Sequence, residues 1–406
     1  MSFKGCRSVY LTKEEERILN GEHGVALQKA MQLVVSIGDI FKADRLLEIK
    51  SSQISGISYK NIGEAGLSFI EDLEKLGGKI KSYATLNPAG MDFKDWVKMK
   101  IPEGFARKQL RIVRSLIRMG AASSCTCTPY LIGNLPLRGE HISWAESSAV
   151  SFANSIIGAK TNREGGPTSL ASAMIGKTPN YGLHLEENRN PNIVVKVKAD
   201  LKSSLDHSLL GYCLGEMIPN GVPLIQGIKS YTLENMKAIC ASAASSGNIA
   251  LYYVDKKTPL PEKWSLKDKE DKFEITDADL KRVLDKFSYR SEVDIVTLGC
   301  PHASINEIRN VAMLLKGKKL RASKDLWICT SSLNKAISGK LGYLRIIKNA
   351  GGKVAADTCM VVAPLENMGY KGLATNSAKA AHYVPSTCNI PSVLVPLEES
   401  INLVLE

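Results

Sequence analysis

The sequence predicts an α/β protein with more than one subdomain, and three observations lead to that fold class. The chain has 406 residues, which is enough for two or three domains. Its 44% hydrophobic and 23% charged residues are ordinary for a globular protein that buries a core. From Asp294 onwards, strand patterns alternate with helix patterns. Such alternation indicates a parallel sheet covered by helices, because parallel strands need crossover connections.

Within that class, local patterns predict the individual elements. Thr12 and Glu15 have the spacing of a capping box, which marks the start of the first helix. A strand is predicted over 45–50, and amphipathic helices closed by glycine are predicted over 62–78 and 104–120.

The middle of the chain continues the pattern. The segment 144–167 is predicted to be a helix that runs into a Gly-Gly-Pro loop, followed by a strand over 192–200 and a helix over 204–218. The polar, proline-containing stretch 255–276 is predicted to be a surface connection or a subdomain seam. We expect tentative subdomains over residues 1–130, 131–290 and 291–406.

Charge and cysteine content narrow the class of protein. A formal net charge of +12 suits an anionic substrate or an acidic partner, whereas nucleic acid is not favoured because acids are interspersed with the lysines and no aromatic stacking motif is present. No segment has the pattern of a signal peptide or a membrane span, so we expect a cytoplasmic protein that does not contact a membrane. The nine cysteines are scattered and odd in number, unlike a disulfide framework, and we assign no role to Cys6.

The remaining cysteines fall into two groups by position. Within apolar helix or strand patterns, and expected to pack in the core, are Cys213, Cys240 and Cys329. On loops at the ends of elements are Cys127, Cys300 and Cys359. The last two follow the strand patterns "DIVTLG" and "KVAADT", so both thiols project at the sheet edge where ligands bind. Buried thiols, a catalytic thiolate and metal ligands all remain open for these loop cysteines; as ligands they could hold three irons of a 4Fe-4S cluster and leave the fourth open to substrate.

Two short turns are candidate substrate contacts. Gly56, Ile57 and Ser58 precede a predicted helix, so their backbone N–H groups and the serine hydroxyl could cradle a phosphate or carboxylate. An ordinary helix entry is the alternative. Asn87 and Pro88 would place an amide beside a substrate, or simply start a turn.

Charged and hydroxyl groups further along are also candidates. Lys379, a positive charge among small residues, suits an anionic substrate group. Arg163 could clamp a carboxylate or tie subdomains together. Ser147 and Ser148 stand at the start of a helix, where they could contact the substrate or cap the helix.

Nearly the whole chain resembles the aconitase X family. The matching stretches run in the family's order from about residue 35 to 385 and include "SSQISGISYKNIGEAGLSFIEDL", "TLNPAGMD", "SCTCTPYL", "AESSAVSFANSIIGAKTNREGGP", "TPNYGLHLE", "LGCPHAS", "AADTCMVVAPL" and "TNSAKAAHY". The resemblance implies a multi-subdomain, three-layer α/β/α catalytic core like that of aconitase, without the swivel domain that other members carry in the same chain.

The resemblance also implies the cofactor. Family members hold a 4Fe-4S cluster in which one iron is not bound by a protein thiolate, and the family's motifs fall here on Cys127, Cys300 and Cys359. Cys125 competes with Cys127 for the first position, and Cys388 is a spare thiol.

Finally, the resemblance implies a hydro-lyase made of two chains. We expect this chain to be the large subunit, dehydrating (R)-mevalonate 5-phosphate to trans-anhydromevalonate 5-phosphate in a modified, archaeal-type mevalonate pathway; cis-3-hydroxy-L-proline or another hydroxy acid is the alternative substrate. A non-catalytic iron-sulfur protein that binds nucleic acid is the alternative of another class. In the aconitase superfamily the base is a serine of the swivel domain, which here would belong to a small partner subunit. Candidate bases within this chain are His302, His184 and Glu146.

Overall fold

The computed structural model describes residues 8–262, 264, 271–288 and 292–406 and shows the predicted mixture of helices and strands. The α-helices are α1 (Lys13–Leu19), α2 (Val25–Ile40), α3 (Tyr59–Lys75), α4 (Glu103–Met119), α5 (Ser147–Phe152), α6 (Gly166–Ile175), α7 (Ser204–Met217), α8 (Leu233–Gly247), α9 (Asp277–Lys286), α10 (Ile305–Leu315), α11 (Ser332–Lys340), α12 (Tyr343–Ala350), α13 (Ala378–Cys388) and α14 (Leu397–Asn402). The strands are β1 (Leu46–Glu48), β2 (Ser51–Ile54), β3 (Tyr83–Leu86), β4 (Ser143–Trp144), β5 (Lys177–Pro179), β6 (Ile193–Val197), β7 (Pro223–Gln226), β8 (Tyr253–Val254), β9 (Asp271–Ile275), β10 (Ile295–Leu298), β11 (Asp325–Thr330), β12 (Lys353–Ala356), β13 (Leu373–Thr375) and β14 (Ser392–Leu394). Cys6 and part of the stretch 255–276 lie outside the described residues. Across the described ranges, no helix has the length and apolar character needed to cross a membrane.

The sheet predicted from Asp294 onwards is the largest in the structure. Its strand order is β12-β11-β10-β13-β14, and every neighbouring pair runs parallel. Strand β10 is buried along its whole length, as expected where helices cover both faces of a parallel sheet. The predicted strand-helix alternation is therefore confirmed.

Smaller sheets precede it in the chain. Two are parallel, with orders β3-β2-β4 and β8-β7-β6-β9, and the strands β1 and β5 form an antiparallel pair. The strand predicted over 45–50 is β1, which lies outside the parallel sheets. The sheet strand is β2, which the hydrophobic pattern does not predict because the fully buried Ser52 and Gln53 interrupt it. Gln53 is tolerated there because its Nε2 donates to the Thr126 carbonyl at 2.9 Å.

Helix ends follow the predicted capping signals. The capping box of Thr12 and Glu15 is present, and α4 ends at Gly120 in the left-handed conformation with φ of 116°. The helix predicted over 62–78 begins earlier, at Tyr59, with non-helical φ and ψ at Gly63. The turn at 55–58 therefore leads directly into α3.

Buried charges join the sheets to one another. Asp92 is 1% exposed, and its Oδ2 accepts hydrogen bonds from the Ala356 N–H and from Lys335 Nζ, both at 2.8 Å. The side chain of Lys237, on α8, donates to the His302 carbonyl at 2.9 Å and forms an ion pair with Glu307. Because unpaired buried charges are costly, these contacts hold the segments around the largest sheet in one arrangement.

Glu164 is a buried carboxyl group of a different kind. It is 5% exposed, its Oε1 has no hydrogen-bond partner among the described residues, and burial raises its pKa to about 7. In the unfolded chain a glutamate has a pKa of about 4.3. The unfolded state therefore releases this proton first as the pH rises, and the folded state loses stability between roughly pH 4.5 and pH 8.

We expect Glu164→Gln to remove this loss. Relative to the wild type, the variant should gain up to about 3 kcal/mol of unfolding free energy between pH 4.5 and pH 8, because folding no longer has to protonate this side chain or bury its charge. Denaturant unfolding at a series of pH values measures the effect. The exposed Glu187→Gln serves as the control and should follow the wild type; an identical pH profile for Glu164→Gln would contradict the prediction.

Candidate functional site

The carboxyl ends of two parallel sheets face one cavity of about 310 Å³. In the smaller sheet, β2, β3 and β4 end at this cavity, and the residues after them line it: Gly56, Ile57, Ser58, Asn87, Pro88, Glu146 and Ser147. In the largest sheet, the residues after β10, β12 and β13 line the opposite wall: Cys300, Cys359 and Lys379. Ligands bind at such edges in α/β sheets, and the volume is that of a small-molecule site.

Three thiols from widely separated loops meet at this cavity. Cys127 lines it together with Cys300 and Cys359, and its loop is held by the hydrogen bond from Thr126 N–H to the Leu86 carbonyl at 2.9 Å. Cys125 is buried at 1% exposure and does not line the cavity. As predicted, the cysteines within helices and strands are buried in the core, namely Cys213, Cys240 and Cys329.

The three thiols come from three different loops and line one cavity. In the part of the chain that the structure describes, no three thiol, imidazole or carboxylate groups converge closely enough to hold one metal ion. In an iron-sulfur cluster each thiolate binds a different iron. The Cys127 sulfur also accepts a hydrogen bond from the His302 N–H at 3.2 Å, a contact that favours a thiolate.

Burial keeps these thiols protonated in the absence of metal. It raises the pKa of Cys127 to about 12, and it raises the pKa values of Cys300 and Cys359 as well. The proximity of the three groups adds to the effect at Cys359, whereas Lys379 opposes it at Cys127 and Cys300. Binding of iron at these positions would therefore release protons.

A buried ion pair between Glu146 and Lys379 joins the two walls. Glu146 Oε1 pairs with Lys379 Nζ and accepts from Ser148 Oγ at 3.0 Å, while Oε2 accepts from Asn87 Nδ2 at 3.0 Å. Burial alone would raise the pKa of Glu146, but Lys379 and the hydrogen bonds outweigh it and lower that pKa to about 2. Glu146 is consequently ionised and held in place.

The turn at 55–58 has the geometry expected of an anion cradle. Gly56 adopts a positive φ of 67°, and the N–H groups of Gly56, Ile57 and Ser58 have no hydrogen-bond partner among the described residues. The Ser58 hydroxyl is different from the expectation, since it donates to the Val362 carbonyl at 2.9 Å. The backbone N–H groups of the turn, and not its hydroxyl, are therefore left without a partner among the described residues.

Of the remaining candidate substrate contacts, some line the cavity and one holds a residue that lines it. Ser147 lines the cavity, whereas Ser148 does not and instead donates to Glu146 at the start of α5. Arg163 lines the cavity, and its Nη1 donates to Asn248 Oδ1 at 2.8 Å. Its roles in clamping a carboxylate or tying subdomains together stay predictions.

None of the three candidate bases is free to move a proton in this cavity. His302 is fully buried, with Nδ1 on Thr126 Oγ1 and Nε2 on the Thr358 carbonyl, each at 2.9 Å. His184 does not line the cavity and instead pairs with His141 through their Nδ1 atoms at 2.9 Å. Glu146 does line it, but its carboxylate is clamped by Lys379.

Sequence analysis missed several residues of the site. Gln109 is fully buried, and its amide holds the anion turn by donating to the Ile57 carbonyl and accepting from the N–H groups of Tyr59 and Gly90. A glutamine on the apolar stripe of an amphipathic helix is the signal that could have found it. Tyr383 and Thr387 line the cavity four and eight residues after Lys379, on the same face of α13.

The fold and the site define an α/β protein with a thiol-lined cavity between the edges of parallel sheets. Models of the first, second and third domains of aconitase X match residues 8–187, 191–285 and 293–406. The chain therefore belongs to the aconitase X family. The subdomain boundaries expected from the sequence stay a prediction.

Individual relatives extend the comparison. The chain is 50% identical to the phosphomevalonate dehydratase large subunit of Methanocaldococcus jannaschii, over 96% of this chain and 99% of that protein. It is 32% identical to the cis-3-hydroxy-L-proline dehydratase of Pseudomonas aeruginosa, over 91% of this chain and 66% of that protein. The crystal structure of Thermococcus kodakaraensis aconitase X in its holo-form superimposes with a TM-score of 0.90 at 45% identity, covering 97% of this chain and 100% of that one. The predicted multi-layer α/β fold is confirmed.

The ion pair that joins the walls can be tested by removing its charges in turn. We expect Lys379→Met to lower the unfolding free energy by about 3–5 kcal/mol, because Glu146 is left buried without a cation. Adding Glu146→Gln should recover most of this loss, since no unpaired charge remains. Denaturant unfolding measures both variants. The exposed pair of Lys281 with Asp285 provides the control, and Lys281→Met should cost less than about 0.5 kcal/mol; a double variant as unstable as Lys379→Met would contradict the prediction.

Proposed function

We propose that this chain is the large subunit of an iron-sulfur hydro-lyase that dehydrates (R)-mevalonate 5-phosphate to trans-anhydromevalonate 5-phosphate. The observation that carries the proposal is the meeting of three thiols with an anion-binding turn and a buried ion pair at one cavity. The similarity to relatives named phosphomevalonate dehydratase large subunits supports the choice of substrate.

In this proposal Cys127, Cys300 and Cys359 hold a 4Fe-4S cluster, and the fourth iron has no protein thiolate. When bound, the cluster supplies a Lewis acid for the hydroxyl group that leaves as water. The charge of Lys379, which acts to lower the pKa values of Cys127 and Cys300, is paired with Glu146.

The substrate's two anionic groups need two positive regions. One is the turn at 55–58, where three backbone N–H groups without a partner among the described residues can bind an anion. No charged side chain of the turn is needed for this. The other is Arg163, which is exposed and has guanidinium N–H groups left over after its bond to Asn248. Lys379 contributes less to the attraction than its charge suggests, because Glu146 neutralises it.

The base that removes the carbon-bound proton comes from a small partner subunit with a swivel domain. This assignment is supported by the state of the candidate bases in the large subunit, since His302 and Glu146 are committed to other contacts and His184 lies away from the cavity. The large subunit alone then binds a cluster and substrate but does not turn over. A cytoplasmic location remains a prediction.

The ligand assignment predicts a pattern among cysteine variants. After anaerobic reconstitution with iron and sulfide, we expect Cys127→Ala, Cys300→Ala and Cys359→Ala each to lack the visible absorbance of the cluster, because each removes one iron's thiolate. Cys329→Ala and Cys125→Ala are matched controls that remove buried thiols outside the cavity and should retain it. Iron retained by Cys127→Ala and lost by Cys125→Ala would move the assignment to Cys125.

The reaction is tested with both chains together. Co-expressed with its small subunit and reconstituted, the large subunit should produce a rise in ultraviolet absorbance from an unsaturated carboxylate when mevalonate 5-phosphate is added, and neither chain alone should do so. No rise with an intact cluster would reject this substrate and direct the assay to cis-3-hydroxy-L-proline. Steeply salt-dependent RNA binding by the pure chain would favour the nucleic-acid alternative.

A further inference from the structure

In the side-chain amide of Asn87, the NH₂ group has a hydrogen-bond partner and the carbonyl oxygen has none among the described residues. Its Nδ2 donates to Glu146 Oε2 at 3.0 Å. Its Oδ1 is buried and has no hydrogen-bond partner among the described residues, although the residue lines the cavity. Because a buried carbonyl oxygen without a donor is unfavourable, such an atom in a residue that lines a cavity points to a ligand that supplies the donor.

The orientation of this amide is set by its neighbours. An ionised carboxylate can only accept hydrogen bonds, so Glu146 requires the NH₂ half of Asn87 on its side. Glu146 cannot turn away, because its other oxygen is held by Lys379 and by Ser148 Oγ. The backbone of Asn87 is held as well, by its N–H on the Ile54 carbonyl at 2.9 Å. The acceptor half is thereby left as the half available to a ligand.

An acceptor selects among the groups of a hydroxy acid. Carboxylate and phosphate oxygens would be repelled by a carbonyl oxygen that has no donor, whereas a hydroxyl group can donate to it. The anionic groups have other partners in the same cavity, namely the N–H groups of the turn at 55–58 and Arg163. The turn and Arg163 therefore offer donors to anionic groups, whereas Asn87 offers an oriented acceptor to a hydroxyl group.

We propose that Asn87 is a specificity-determining residue that accepts a hydrogen bond through Oδ1 from the hydroxyl group to be eliminated, with Glu146 and Lys379 as positioning residues that fix the amide. This inference rests on the proposed function, because it assigns a role in recognising the substrate of that reaction. The sequence predicted only that the Asn87 amide lies beside the substrate. The inference assigns its Oδ1 as the acceptor of a hydrogen bond from the substrate hydroxyl group.

The test compares mevalonate 5-phosphate with an analogue in which hydrogen replaces the 3-hydroxyl group. In the reconstituted two-chain enzyme, Asn87→Leu should lower kcat/KM for the substrate by about tenfold or more and leave the Ki of the deoxy analogue within about twofold of the wild type. Calorimetry on the same complex purified without iron gives a second readout, because no turnover occurs: the preference for the hydroxylated ligand should be lost in the variant. An equal loss for both ligands, or no loss for either, would overturn the assignment.

A second variant leaves Asn87 unchanged. Glu146→Gln gives residue 146 a donor, so the Asn87 amide can turn and present NH₂ to the cavity. It should therefore also lose the preference for the hydroxylated ligand, which a merely structural role for Asn87 does not predict. Wild-type discrimination in Glu146→Gln would overturn the positioning role.

The two proposals fail in different ways. If the wild-type complex does not dehydrate mevalonate 5-phosphate, the proposed function is wrong, and the Asn87 comparison is then made with cis-3-hydroxy-L-proline and proline. If the wild type is active but Asn87→Leu discriminates as the wild type does, the function stands and the role of Asn87 is wrong.

Discussion

The ion pair of Glu146 with Lys379 is the interaction on which the cavity depends. Glu146 follows a strand of the smaller sheet and Lys379 follows a strand of the largest sheet, so their contact ties the two edges that face each other. Lys379 is buried and the Glu146 side chain is only 13% exposed, and in such surroundings removal of one partner costs far more than the pair itself contributes. The opposite charges of the pair also cancel. The positive potential in the cavity therefore comes mainly from backbone N–H groups and from Arg163. The centre of the cavity is thus close to neutral, although both members of the pair are charged.

Around that pair, buried polar residues that do not line the cavity hold the residues that do. Gln109 fixes the anion turn from behind, and the backbone of His302 connects Lys237 on one side with the Cys127 sulfur on the other. Each of these side chains is buried and fully engaged, so a small displacement of any of them breaks a hydrogen bond that water cannot replace. The precision of the cavity therefore comes from the layer of residues behind its surface.

The sequence predicted the largest sheet well and the first sheet poorly, for a physical reason. Strands such as "DIVTLG" are apolar because helices cover both faces, whereas β2 buries Ser52 and Gln53 and carries no hydrophobic pattern. The cavity-lining loop cysteines could be predicted from their places after element ends and from family motifs. The distinction between Ser147 and Ser148, or between His302 as base and His302 as scaffold, could not, since it depends on side-chain directions that only the packed structure supplies.

The separation of the three cavity thiols along the chain has a consequence for biosynthesis. Cys127, Cys300 and Cys359 belong to loops that fold with different sheets, and Cys359 is synthesised 232 residues after Cys127 (359 − 127). A nascent chain that has completed its first sheet presents one of these sulfurs and no cavity. In the proposed function, a cluster held by all three sulfurs is inserted only after synthesis has passed the third sulfur and the sheets have met. Cluster insertion then follows folding of the chain.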